Sequence, residues 1–81
     1  MPKDIKVEYF AILRDQRGVG HEDLITDAVT VEDLYAQLSE AHQLSFKQEY
    51  LRVACNDDFV SFDYEISKGD CIAFFPPVSG G

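Results

Sequence analysis

Thr30-Val31-Glu32-Asp33 opens the one stretch of this chain with a sustained helical repeat. Thr30 can cap the first turn, and Asp33, three residues on, can return the bond as in a capping box. Glu32 and Asp33 also suit the positive end of the helix dipole. Val31, Leu34, Leu38 and Ala41 then recur at helical spacing and make one apolar stripe. The spacing predicts a helix over about 31–42, ending near Ala41 or His42. About twelve residues at ~1.5 Å rise give roughly 18 Å, enough to cross a small sheet once. Burying the two leucines and the valine contributes roughly 1.5–3 kcal/mol each.

A single helix needs a sheet to cover its stripe, and strand signals occupy most of the rest. Lys6-Val7-Glu8-Tyr9-Phe10 alternates, with Val7 and Tyr9 on one face and Lys6, Glu8 and Phe10 on the other. Residues 11–17 lack this alternation and suit a short helical turn, ended by a left-handed Gly18. His21 to Ile25 reads as a second, weaker strand, and Leu51-Arg52-Val53-Ala54-Cys55 as a third. Asn56-Asp57-Asp58 is a turn by composition, followed by a short fourth strand at Phe59-Val60. Leu44 to Glu49 fits either a loop or a short turn, and Asp63 to Asp70 is loop-like. Cys71 to Phe75 is strongly apolar, as a central strand is. The expected fold class is α+β, one main helix crossing one sheet of four to five strands. With the last strand beside the first, Phe10 and Phe75 fall on the sheet face away from the helix. Exposed aromatics there make a docking surface.

The strand ends in a distinctive way: Phe75-Pro76-Pro77-Val78-Ser79-Gly80-Gly81. Prolines cannot donate to a ladder, so Pro76 and Pro77 stop the strand and favour an extended exit. Fully extended, residues 76–81 reach roughly 20 Å at about 3.3 Å each. Gly80 and Gly81 carry no Cβ and fit a channel too narrow for other residues. The expected division is therefore a domain over 1–75 and a flexible tail over 76–81. Two readings of the tail stand side by side. It is an arm that presents its terminal carboxylate to another protein's active site, or a frayed end.

Length and charge narrow the function. Eighty-one residues suit a single domain. Seven basic residues against fifteen acidic give a net charge of -8, which disfavours nucleic acid and anionic membrane as partners. Acidity favours either solubility alone or a partner with a basic docking surface. No apolar run approaches a membrane span or a signal-peptide core, so a cytoplasmic location is the expectation. Cys55 and Cys71 have no ligand or CxxC spacing and read as unbridged packing residues. His21 and His42 sit in no metal-ligand pattern, so no metal site is expected.

No catalytic constellation is visible. Gly18-Val19-Gly20 is too little for a nucleotide loop, and the carboxylates scatter. The chain then supplies a substrate or carrier group rather than catalysis. A carboxylate resists nucleophiles until it is activated, most simply as an acyl-adenylate from which AMP leaves. With no ATP site in this chain, activation falls to a partner. Sulfur replacing the adenylate gives a thiocarboxylate, and a glycine carbonyl is the least hindered place to do it.

These residues carry a resemblance. Phe10-Ala11 with Arg14 and Gly18, then Val60-Ser61-Phe62-Asp63, Gly69-Asp70 and Phe74-Phe75-Pro76-Pro77-Val78-Ser79-Gly80-Gly81, resemble the MoaD-type sulfur carriers. Those are the small subunits of molybdopterin synthases, with a ubiquitin-like β-grasp fold, which implies a mixed sheet of four to five strands. The resemblance implies that Gly81 is adenylated by a ubiquitin-activating-type enzyme using MgATP, with no cofactor bound by this chain. A sulfur-relay protein then supplies the sulfur. The resulting thiocarboxylate enters the large subunit of a heterotetramer and delivers sulfur to a pterin precursor, building the molybdenum cofactor. The chain itself is then a non-catalytic, sulfur-donating subunit. Gly80, Ser79, Val78, Pro77 and Pro76 thread the tail, and Phe75, Phe59 and Phe10 are candidate interface residues. Arg14 reads either as a partner contact or as plain surface. A thiamine-type sulfur carrier and a ubiquitin-like protein modifier are the alternatives.

Overall fold

The capping box forms as its residues dictate. The Asp33 amide donates to Thr30 Oγ1 at 3.2 Å, and the Thr30 amide donates to Asp33 Oδ2 at 3.3 Å. Helix α2 then runs Val31–His42, and Gln43 in the left-handed region ends it. In the computed structural model, which describes residues 2–77, it lies against one face of a five-stranded sheet.

The strands are β1 (Lys3–Tyr9), β2 (His21–Thr26), β3 (Arg52–Cys55), β4 (Asp58–Val60) and β5 (Cys71–Phe75), in spatial order β2-β1-β5-β3-β4. β1 and β5 pair in parallel; the other neighbours are antiparallel. The first and last strands are thus central neighbours, as expected. A short helix α1 (Ile12–Arg17) joins β1 to β2, and Gly18 closes it at φ 92°.

The core is a single cluster. Ile5, Val7 and Tyr9 of β1, Ile72 and Phe74 of β5, and Val53 and Cys55 of β3 meet Val31, Leu34, Tyr35 and Leu38 of α2. The stripe differs from the expected one at its last member. Ala41 is exposed and Tyr35 is buried. Tyr35 stands one turn beyond Val31 and one turn before Leu38, and its hydroxyl donates to the Phe46 carbonyl, so the phenol carries no unmet polar group inside.

The bounds of β1 to β4 differ from expectation by one to three residues. β1 begins at Lys3 rather than Lys6, because Lys3-Asp4-Ile5 continues the pairing with Ile25 and Thr26. Asp58 opens β4 instead of ending the turn. The loop is only Asn56-Asp57, both with positive φ, the two-residue connection that suits a twisted hairpin. Between Leu44 and β3 lies a 3₁₀ turn at Gln48–Tyr50, with Leu44 buried under it.

The loop expected over Asp63 to Asp70 spans residues 61–70 and seals both ends of the core. The Tyr64 and Phe62 carbonyls accept from the Val31 and Glu32 amides, satisfying N–H groups that a helix start leaves unpaired. Gly69-Asp70 then acts as a buckle. Gly69, at φ 86°, donates its amide to the Asp4 carbonyl, and the Asp70 carbonyl accepts from the Lys6 amide. The buried Asp70 carboxylate accepts from the Ser67 amide at 2.8 Å and from Asn56 Nδ2 at 3.0 Å. These bonds fix where β5 enters the sheet.

Candidate functional site

The period of two along β5 splits its side chains between two surroundings. Ile72 and Phe74 are wholly buried on the helix side, while Cys71, Ala73 and Phe75 face away from it. The register sets their neighbours: Arg52 of β3 stands opposite Phe75, Ala54 opposite Ala73, and Phe59 of β4 opposite Ala54. Two alanines at the centre leave a shallow trough of about 260 Å³, lined also by Phe10, Phe59, Phe75 and Glu8.

Aromatic rings rim that trough beside the point where the chain leaves the sheet. The Phe75 ring stacks on Phe10 at 4.6 Å between centroids and 14° between planes. Phe59 tilts against Phe75 at 5.8 Å. Phe59 is 66 % exposed and Phe10 38 %, large apolar surfaces in water on a chain this small. Beyond Phe75, Pro76 is half-buried and Pro77 exposed. With Tyr50, Arg52, Phe59 and Phe75 they line a second recess of about 600 Å³.

The structure therefore brings Phe10, Phe59 and Phe75 together and sets Pro76 and Pro77 beside them. Arg14 is not among them: it lies exposed on α1, with its stem against Gly20, where an added Cβ would stand 3.3 Å from Arg14 Cδ. Val78, Ser79, Gly80 and Gly81 lie outside the described residues. Sequence reasoning passed over Arg52 and Tyr50. Arg52 shares the outward parity of Ala54, a usable signal, but its placement over the Phe59 ring, 6.0 Å from the centroid, depends on the β3–β4 pairing.

Neither cysteine offers a reactive thiolate. Both are free thiols. Burial, and then the bond from Sγ to Glu8 Oε1 at 3.3 Å, push the Cys71 thiol up to about 11, so it stays protonated near neutral pH. Burial likewise raises Cys55. At the far end of β1, Tyr9 donates to Glu22 at 2.6 Å, and Arg17 meets the same carboxylate at 2.8 and 3.0 Å. Arg17 holds the Glu22 carboxyl below its ordinary range, while burial raises the Tyr9 phenol. Among the described residues no three His, Cys, Asp or Glu side chains are placed to hold a metal ion. None of the described helices is long and apolar enough to cross a membrane.

One helix across a mixed sheet, with parallel first and last strands in the middle, defines a ubiquitin-like β-grasp protein. Its open face is aromatic at the root of a Gly-Gly tail. The chain belongs to the ThiS family, which matches residues 7–81. It is 40 % identical over 80 residues to a protein of Escherichia coli named molybdopterin synthase sulfur carrier subunit, covering 95 % of this chain and 99 % of that one. Among solved structures it is similar to SAMP1 from Haloferax volcanii, at TM-score 0.79 and 28 % identity, over 96 % of this chain and 99 % of that one. It is also similar to a chain in the complex of subunits 1 and 2 of molybdopterin-converting factor from Helicobacter pylori. There the TM-score is 0.65 and the identity 25 %, over 96 % of this chain and 99 % of that one.

Proposed function

We propose that this protein is the sulfur-carrier subunit of a molybdopterin synthase, and that Gly81 carries the sulfur. The observation that supports it most is the family match, which continues to Gly81 through the tail that leaves the central strand. A partner enzyme of the ubiquitin-activating type joins the Gly81 carboxylate to AMP, releasing pyrophosphate from MgATP. A sulfur donor then displaces AMP and leaves a thiocarboxylate. The large subunit receives the tail, and the sulfur passes to a pterin precursor. Phe75, Phe10 and Phe59 form the apolar floor on which partners close, because such rings lose least by leaving water together. Gly80, Ser79, Val78, Pro77 and Pro76 thread the arm.

Deleting Gly81, or adding one residue after it, tests this reading. Deletion withdraws the reacting carbonyl by about 3.3 Å, and about 1 Å of misplacement can cost around a hundredfold in rate. Extension converts the carboxylate to an amide. Both variants are expected to melt like the parent, yet gain no sulfur-for-oxygen mass with activating enzyme, MgATP and sulfur donor. Normal sulfur loading of the extended chain, with no protease present, would sink the carrier reading.

The likeness to SAMP1, a small archaeal modifier protein, favours a second reading: a modifier joined to lysines through Gly81. Conjugate ladders on a blot, lost on deletion of Gly81, distinguish it from a carrier that forms only a stable complex with a large subunit. A thiamine-type carrier shares the chemistry and differs in the sulfur acceptor.

A further inference from the structure

Arg52 is set beside the aromatic rings of the open face. The chain holds fifteen acidic residues against seven basic, so carboxylates are abundant. Arg17 uses one of them, forming the ion pair with Glu22 found among the described residues. Among the described residues Arg52, like the other five lysines and arginines besides Arg17, forms no ion pair; its guanidinium sits 6.0 Å from the centre of the Phe59 ring, exposed, opposite Phe75 at the root of the tail. A cation–π contact at this distance leaves the guanidinium N–H donors unspent.

That arrangement constrains what can cover it. Arg52, Tyr50, Phe59, Phe75, Pro76 and Pro77 line one recess, so a protein that closes on the rings also closes on the guanidinium. An apolar or basic lid would strip water from a cation and offer it nothing in return, an uncompensated desolvation. A carboxylate matches the fork of donors in two bonds. Lys6 shares this face beside Glu8, but the charged residues that line the trough itself are carboxylates. Glu8 and Asp57 line the far end of the trough, which Arg52 does not. Two strand spacings and two residues of rise separate Glu8 from Arg52, roughly 12 Å between Cα positions. The face therefore has an electrical direction as well as an apolar centre.

We propose that Arg52 is a specificity-determining residue that receives a carboxylate of the docking protein and so fixes the orientation in which the tail is delivered. The inference rests on the carrier reading, and it adds what that reading lacks: the partner of this acidic chain is itself acidic at one spot.

The test is calorimetric titration of the full chain against the molybdopterin synthase large subunit from the same genome. The variants are Arg52→Lys, Arg52→Leu and Arg52→Glu, with Phe75→Ala as the reference for the apolar face. Arg52→Leu is expected to weaken binding about tenfold and Arg52→Glu about a hundredfold or more, with Arg52→Lys between parent and Arg52→Leu. All three should melt with the parent, since the side chain is exposed. Added salt should weaken the parent more than Arg52→Leu. One acid-to-arginine change on the large subunit should restore binding to Arg52→Glu while weakening it for the parent, which a merely structural arginine would not produce. Parent-like binding by Arg52→Leu overturns the inference, as does failure of every such reversal to rescue Arg52→Glu. It is also overturned if the Arg52 effect disappears once residues 78–81 are removed, because the carboxylate served is then the chain's own. If the parent binds and Phe75→Ala weakens it while Arg52→Leu does not, only Arg52 loses its role. If the parent does not bind at all, the carrier reading falls and this inference falls with it.

Discussion

Phe74 and Phe75 are adjacent in the sequence and belong to different worlds. Phe74 is wholly buried against Tyr35 and Phe62 under the helix, at centroid distances of 5.3 and 6.4 Å. Phe75 lies on the open face, stacked on Phe10 and half in water. One face of the sheet has its partner supplied by the same chain. The other keeps its rings ready for a surface that the chain does not contain. Identical chemistry therefore serves cohesion on one side and recognition on the other, and only the parity of the strand decides which.

The largest blow to this contrast comes from the covered side. Phe74→Ala should cost about 3–5 kcal/mol of folding stability, from lost transfer energy and the cavity left behind. Urea unfolding measures it, and a cost below that of Phe75→Ala would invert the assignment of faces. Phe75→Ala comes next and acts elsewhere. Removing an aromatic anchor from an interface commonly costs about 2 kcal/mol or more, roughly thirtyfold in affinity. Its folding cost should stay near the ~0.5–1.5 kcal/mol of each of its two aromatic pairs, with Phe10 and Phe59, plus the area it buries. Unchanged affinity by calorimetry would make the open face a bystander, and loss of cooperative unfolding would make Phe75 core.

A smaller effect belongs to the polar knot at the end of β1. Glu22→Gln should cost about 1–2 kcal/mol near neutral pH, since the carboxylate meets Arg17 and Tyr9 together and is mostly shielded. The folded-state affinity of Glu22 for protons is depressed, chiefly by Arg17. Its stabilisation is thus complete above the ordinary carboxylate value and is lost as pH falls through the lower, folded value. The difference between parent and variant should shrink in acid, and a constant difference across that range would refute the linkage. Smallest of all is Cys71→Ala, expected to change sulfur loading not at all and stability by about 0.5 kcal/mol or less. Loading that fails without the Cys71 thiol would move the carrier atom off Gly81.

Much of this division was legible before any coordinates. The Thr30 cap and the Val31, Leu34, Leu38 spacing fixed α2, because both signals act within about two turns of one segment. The Lys6–Phe10 alternation and the apolar run at Cys71–Phe75 placed Phe10 and Phe75 on the uncovered side, since parity needs no knowledge of partners. What escaped depended on residues far apart in the chain. Tyr35 reads as a helix-surface residue until Phe46 arrives to accept its hydroxyl. The Gly69-Asp70 motif was recognisable as a pattern, yet its work as a buckle requires Asp4, Lys6 and Asn56. Arg52 looked like an ordinary outward strand residue until β4 brought Phe59 beneath it.

The parallel pairing of β1 with β5 also bears on how the protein is made. A ribosome that stops before Cys71 releases a chain whose β1 and β3 lack their shared neighbour. Such a product has two raw sheet edges in the middle of its core and no means of joining them, a state prone to sticking and to proteolysis. Only a polypeptide translated through the strand that leads into the tail can fold. Completion of the fold is thereby tied to synthesis of the strand that carries the tail.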